Sequence, residues 1–266
     1  MGKIIVEEIN VTCSDEIRKL RIYLPDSYEI EKEKEYPVIY MQDGQNVFTN
    51  ETATYGYAWQ VKNILENYEK KGKECIVVAL DCSEENRYNE YSPWVCEKPK
   101  SDFEEGKIYG GNGKRYGEFF NDTLKSNIEK KYRVTKNREK CAIAGSSMGG
   151  FISAYICEKY PEEYGVAGIF SIASWFAEKA FLESKAKDNN QKIFIYVGTE
   201  EFSDKKNPVM NQTYIDNTIN YYNKILGTGI NLKNIKISIR AGEEHCEKAW
   251  EKAFSEFLKF FFETMK

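Results

Sequence analysis

The chain has 266 residues, 41% of them hydrophobic and 30% charged, with a net charge of −4. That length suits one α/β domain with a sizeable core, expected to span residues 1–266. With 38 basic residues against 42 acidic ones, no clustered basic excess is left for a phosphate backbone, so nucleic acid is not an expected partner.

The first residues turn acidic at Glu7 and Glu8 and carry no signal-peptide pattern. No apolar run approaches the roughly 20 residues that span a bilayer. No membrane association is therefore expected, and the cytoplasm is the expected location. The seven cysteines (13, 75, 82, 96, 141, 157 and 246) are odd in number and form no CxxC pair, so they read as free thiols.

In chain order, residues 4–11 and 17–24 read as two strands paired antiparallel around the turn at 13–16. Six short apolar runs follow at 37–41, 75–80, 141–144, 166–170, 193–197 and 235–239. Runs of this kind suit strands buried on both faces. Helical spacing of apolar residues separates them at 58–70, 116–132, 152–160, 214–226 and 249–265. The expected fold class is α/β: a mostly parallel central sheet flanked by helices, with antiparallel strands at the N-terminus. The longest irregular stretch, 83–113, reads as a loop-rich insertion of functional or mobile character. Its Gly110-Gly-Asn-Gly113 cluster lacks a Ser or Thr after Lys114 and a preceding strand. It therefore reads as a hinge or helix entry, not a phosphate cradle.

The sharpest chemical signal is Gly145-Ser-Ser-Met-Gly149. It follows the strand at 141–144 and opens a helix, the strand–turn–helix setting of a nucleophile elbow. Both flanking glycines are expected where a Cβ would collide with backbone. Ser147 would stand at the carboxyl end of a central strand, where open α/β sheets bind ligands. A serine hydroxyl needs a base to become a nucleophile. The chain has one histidine, His245, placed between the last strand and the last helix. Glu243, Glu244, Cys246 and Glu247 surround it. With no second histidine, and with adjacent side chains unable to face one ion together, no metal is expected. No cofactor is called for.

An acid should lie between the serine and the histidine and follow a strand. Gly198-Thr-Glu-Glu201 offers Glu200 and Glu201, with Asp204 and Asp216 as outsiders. Two backbone N–H groups should stabilise an oxyanion. One is expected from Met148. The other is expected from Gln45 or Gly44 in the loop Gln42-Asp-Gly-Gln-Asn46, where Gly44 would permit a tight turn. Phe48, Tyr88, Tyr91, Trp94, Trp175 and Phe176 fall in segments expected near the site. Trp94 and Trp175 are the expected stacking walls, set against the alternative that such rings fill the core. Arg87 is the expected contact for an anionic substrate group.

These segments resemble the putative-esterase family of the α/β-hydrolase superfamily, which includes feruloyl, acetylxylan and enterochelin esterases and, more distantly, mycolyltransferases. The likeness runs from about Tyr36 to Phe261. YPVIYMQDGQNVF (36–48) is similar to the family's HDGQNLF segment, with Gln42 in place of histidine. NEYSPW (89–94) and AIAGSSMGG (142–150) resemble two further family segments. Gly198-Thr-Glu-Glu201 resembles the family's GTxE/GTxD segment, whose fourth residue is the acid, which implies Glu201. His245-Cys-Glu-Lys-Ala-Trp250 resembles HNExxW, with Cys246 in place of asparagine. The resemblance implies a serine carboxylic-ester hydrolase working through an acyl-enzyme on Ser147. Its expected partner is a small-molecule ester of carbohydrate, phenolic or siderophore type. The alternatives are acyl transfer to a sugar or lipid acceptor, and a catalytically silent binding protein on the same scaffold.

Overall fold

The computed structural model describes residues 2–96, 107–184, 190–202 and 208–263. Residues 97–106 of the expected insertion, Asp204, and the end of the last expected helix lie outside the described residues. The strands are β1 (Lys3–Val11), β2 (Glu16–Leu24), β3 (Val38–Met41), β4 (Ile76–Leu80), β5 (Cys141–Ser146), β6 (Val166–Phe170), β7 (Lys192–Glu200) and β8 (Ile235–Glu244). The helices are α1 (Val61–Glu69), α2 (Arg87–Glu90), α3 (Gly113–Glu118), α4 (Ser126–Lys131), α5 (Met148–Lys159), α6 (Glu178–Glu183), α7 (Pro208–Leu226) and α8 (Glu247–Glu263).

All eight strands form one sheet in the order β1-β2-β4-β3-β5-β6-β7-β8. β1 pairs antiparallel with β2, and β2 with β4. The other neighbours are parallel. β3, β4, β5 and β6 are buried along their whole length, which is why their sequences are continuously apolar rather than alternating. The pleat sends neighbouring residues to opposite faces. Tyr40 therefore joins the core that holds Phe120, Phe151 and Tyr221. Ile39 and Met41 join the core built with Trp59, Phe254 and Phe257 from the α1 and α8 side. The chain leaves β3 for β4 on one side and returns to β5 on the other. The carboxyl ends of β3 and β5 thus flank the point where strand order reverses, the usual ligand crevice of an open parallel sheet.

The helix expected over 116–132 is instead three segments. α3 passes into a π-helical turn, Phe119–Lys125, before α4. Phe119, Phe120 and Leu124 of that turn are buried. α5 starts four residues before the expected position. Gly149 and Gly150 hide that start, because glycine is a poor helix former.

The insertion is tied down where it is described. Glu90 of α2 is fully buried and accepts two hydrogen bonds from Arg18 of β2, at 2.7 and 2.5 Å. Cys96 N–H donates to the Tyr109 carbonyl at 2.8 Å, and Gly113 N–H to the Ser92 carbonyl at 2.9 Å. Glu90→Ala would leave the buried Arg18 guanidinium without its principal counter-ion. Breaking such a pair costs about 3–5 kcal/mol. A matching loss in urea-unfolding free energy is the expected result, and a loss below about 1 kcal/mol would count against this anchor.

Candidate active site

Ser147 links β5 to α5 with φ 56° and ψ −124°, an unusual conformation for a residue with a side chain. Neighbouring backbone holds it there. Its N–H donates to the Phe170 carbonyl at 2.9 Å, and its carbonyl accepts from Ala173 N–H at 3.2 Å. A Cβ on Gly145 would lie 2.5 Å from the Gly149 carbonyl oxygen, the expected backbone collision. At Gly149 the obstruction differs from expectation: a Cβ would meet the Asp43 carboxylate at 2.8 Å and Gln42 Cβ at 3.1 Å, both side-chain atoms.

His245 follows β8 and approaches the elbow from the far end of the chain. Its Nδ1 lies 2.5 Å from Oε2 of Glu201. The Glu201 side chain is inaccessible to solvent. Its other oxygen accepts from Ser171 Oγ and from Gly198 N–H, both at 2.6 Å. Trp250 Nε1–H donates in turn to Ser171 Oγ at 2.9 Å. Of the two candidate acids, Glu200 ends β7 exposed, and Glu201, the first residue after the strand, is buried. Asp216 sits on an exposed face of α7, bonded to Gln212.

Two rings hold the imidazole. Tyr214 of α7 lies 4.7 Å away, and Trp250 meets it edge-on at 4.8 Å. Burial pushes the Tyr214 phenol up to about 12, against the opposing effect of the neighbouring Trp175 and Ser147 side chains. It is therefore a neutral group in contact with the serine. No sequence motif marks Tyr214 or Ser171. Tyr214 carried only the apolar spacing of a helix, and Ser171 only the end of a strand.

Ser147, His245, Met148 and Gln45 line one cleft of about 1080 Å³. Met148 is the first residue of α5, so its N–H has no intrahelical acceptor. Gly44 is buried, and the left-handed residue of its loop is Asp43 (φ 54°). Gly44 is required for close approach instead, since a Cβ there would lie 2.7 Å from the Ala79 carbonyl oxygen. The Gln45 side chain accepts from Cys82 N–H at 3.1 Å and donates to its sulfur at 3.0 Å. This ties the β3 loop to the β4 loop. Burial, with the nearby charge of Asp43, pushes the Cys82 thiol up to about 12, so it does not compete as a thiolate.

The expected substrate contacts divide. Trp175 lines the cleft. Arg87 lines it too, but its guanidinium is held by Asp43 in a two-point contact at 2.7 and 3.0 Å. In this arrangement it braces the β3 loop. Trp94 is not among the cleft residues. It packs against Phe151, Tyr155 and Phe181, because its segment folds back onto α5 and α6. Phe48, Tyr91 and Phe176 are core residues. The cleft's aromatic lining is Tyr55, Tyr88, Trp175, Phe202, Tyr214 and Trp250. Among the described residues, no helix is long and apolar enough to cross a membrane.

A model of the family described as Putative esterase matches residues 13–261. "Uncharacterized protein YbbA" of Bacillus subtilis is 26% identical over 247 residues, covering 92% of both chains. An endo-1,4-beta-xylanase/feruloyl esterase of Xylanibacter ruminicola is 28% identical over 195 residues, 70% of this chain and 23% of that protein. Among solved structures, a ferulic acid esterase superposes with a TM-score of 0.73 at 20% identity, covering 99% of both chains. The siderophore hydrolase EstA from Aspergillus nidulans gives 0.76 at 16% identity, over 97% of this chain and 93% of that one. With this fold and this family match, the chain belongs to the Putative esterase family and is a carboxylic-ester hydrolase on the α/β-hydrolase scaffold.

Proposed function

We propose that the protein is a serine esterase that cleaves a small-molecule carboxylic ester through an acyl-enzyme on Ser147. One observation carries this reading: the inaccessible Glu201 carboxylate lies 2.5 Å from Nδ1 of His245, and His245 lines the same cleft as Ser147. Glu201 holds the imidazole with Nδ1 protonated, which leaves Nε2 as the base. Nε2 takes the proton of Ser147 as Oγ attacks the ester carbonyl carbon. Backbone N–H groups of Met148 and Gln45 receive the developing oxyanion, each donor worth about 3 kcal/mol. The tetrahedral intermediate then collapses, and the departing alkoxide takes the proton back from the imidazolium. Water repeats the sequence on the acyl-enzyme and frees Ser147.

The proposed substrate is an ester with a planar aromatic or sugar-like part, since exposed rings of Tyr55, Tyr88 and Phe202 border the cleft and flat rings suit stacking. The ferulic acid esterase and siderophore hydrolase among its structural neighbours agree with that class. A fluorophosphonate probe is expected to label Ser147. A screen of acetyl, feruloyl and catechol-trilactone esters is expected to find at least one that depends on Ser147. An unlabelled serine, with no turnover of any of the three, would sink the proposal.

A further inference from the structure

The cleft contains a carboxylate that neither nucleophile nor base requires. Glu247, the first residue of α8, is 4% exposed yet lines the cleft beside His245, Cys246 and Trp250. Among the described residues, no donor on another residue reaches its carboxylate, which accepts from its own backbone N–H. A buried carboxylate normally has partners that replace its lost water. Arg87 is near enough to act on it electrostatically, but that guanidinium is held by Asp43. Burial raises the Glu247 carboxyl above its ordinary value and Asp43 adds to this, while its own N–H, His245 and Arg87 oppose it. The group is under-solvated by protein and lines the cleft.

We propose that Glu247 is a specificity-determining residue that accepts a hydrogen bond from a hydroxyl on the alcohol part of the ester. The assignment rests on the serine-esterase reading above. In that reaction His245 returns its proton to the departing alkoxide, so the alcohol must lie on the His245 side of the cleft. Glu247 stands two residues beyond His245 on that side. A hydroxyl close to the ester oxygen supplies the donor the carboxylate lacks. A neutral donor suits the position better than a cation, because a cation would sit beside the imidazolium that forms during acylation.

The test compares kcat/KM for 2-hydroxyethyl acetate, ethyl acetate and acetylcholine in the wild type, Glu247→Gln and Glu247→Ala. p-Nitrophenyl acetate turnover and fluorophosphonate labelling are measured on the same preparations. The wild type is expected to favour 2-hydroxyethyl over ethyl acetate by about 10-fold or more, the range of one hydrogen bond to a charged group. Glu247→Ala should bring that ratio near one, and Glu247→Gln, a weaker acceptor of similar size, should fall between. A purely structural role would lower both rates together and leave the ratio unchanged, which would overturn the proposal. So would a wild-type ratio near one, or acetylcholine outpacing 2-hydroxyethyl acetate. If the variants fail to fold, the wild-type ratio decides alone. Labelled Ser147 and active p-nitrophenyl acetate turnover with a ratio near one would remove only the Glu247 assignment. An unlabelled serine with no turnover of any ester would remove the esterase reading and this assignment with it.

Discussion

Ser147→Ala is expected to lower kcat for p-nitrophenyl acetate by about 10⁶-fold, and His245→Ala by a similar factor. In the proposed mechanism the two residues act as one unit, since the hydroxyl attacks only as its proton is taken. The double variant should therefore be no slower than either single one. A residual rate about 10³–10⁴ above water should survive, from binding and from the oxyanion donors. That residue of activity separates a lost nucleophile from a lost fold. Neither variant should unfold the chain. Ser147 lies at a strained φ of 56°, where an alanine meets the same backbone cost. A His245→Ala enzyme that kept wild-type turnover would remove the base from the mechanism.

The second large effect is expected at Glu201. Glu201→Gln should lower kcat by about 10⁴-fold, the usual cost when the acid is replaced by an amide and the histidine takes the wrong tautomer. The geometry sharpens the expectation. Glu201 serves three partners at once: His245, Ser171 and Gly198 N–H. All three present donors in the working arrangement, and a glutamine must turn its NH₂ against at least one of them. Glu200→Gln is the matched control. Its side chain is exposed at the end of β7, and its rate should stay within about twofold, as surface changes away from such features have little effect. Equal losses in both variants would point to a general disturbance of the β7 end instead of a specific acid.

Much of the fold was legible in the sequence because its signals are local. Each of the eight strands lies where an apolar or alternating run predicted it, and the parallel order follows from continuous runs separated by helices. Boundaries were less legible. β7 extends three residues past its apolar run to Glu200, and α7 begins at Pro208 rather than near Tyr214. Short helices such as α2 and α6 carry too few turns for a periodicity, and they form because neighbouring elements hold them. The π-helical turn Phe119–Lys125 left no mark, since its apolar residues fit α-helical spacing equally well.

The site divides along the same line. A serine within GxSxG after a strand, and a single histidine after the last one, are facts of the chain itself, so Ser147 and His245 could be named from it. The choice between Glu200 and Glu201 could not be made from local sequence, and rested on resemblance. In the structure the pleat of β7 and the turn after it bury one carboxylate and expose the other. Trp94 and Arg87 show the limit more sharply. Both lie in a segment that looks functional, yet one packs on α5 and α6 and the other closes on Asp43, 44 residues away in sequence. Tyr214, Ser171 and Glu247 come together around Ser147 and His245 only when α7, the end of β6 and α8 converge there. Backbone periodicity and turn chemistry act over a few residues, so the order of elements and the residue types of the candidate site can be read from the chain. Hydrogen bonds and burial join elements far apart in the chain, so which side chains meet emerges only on folding.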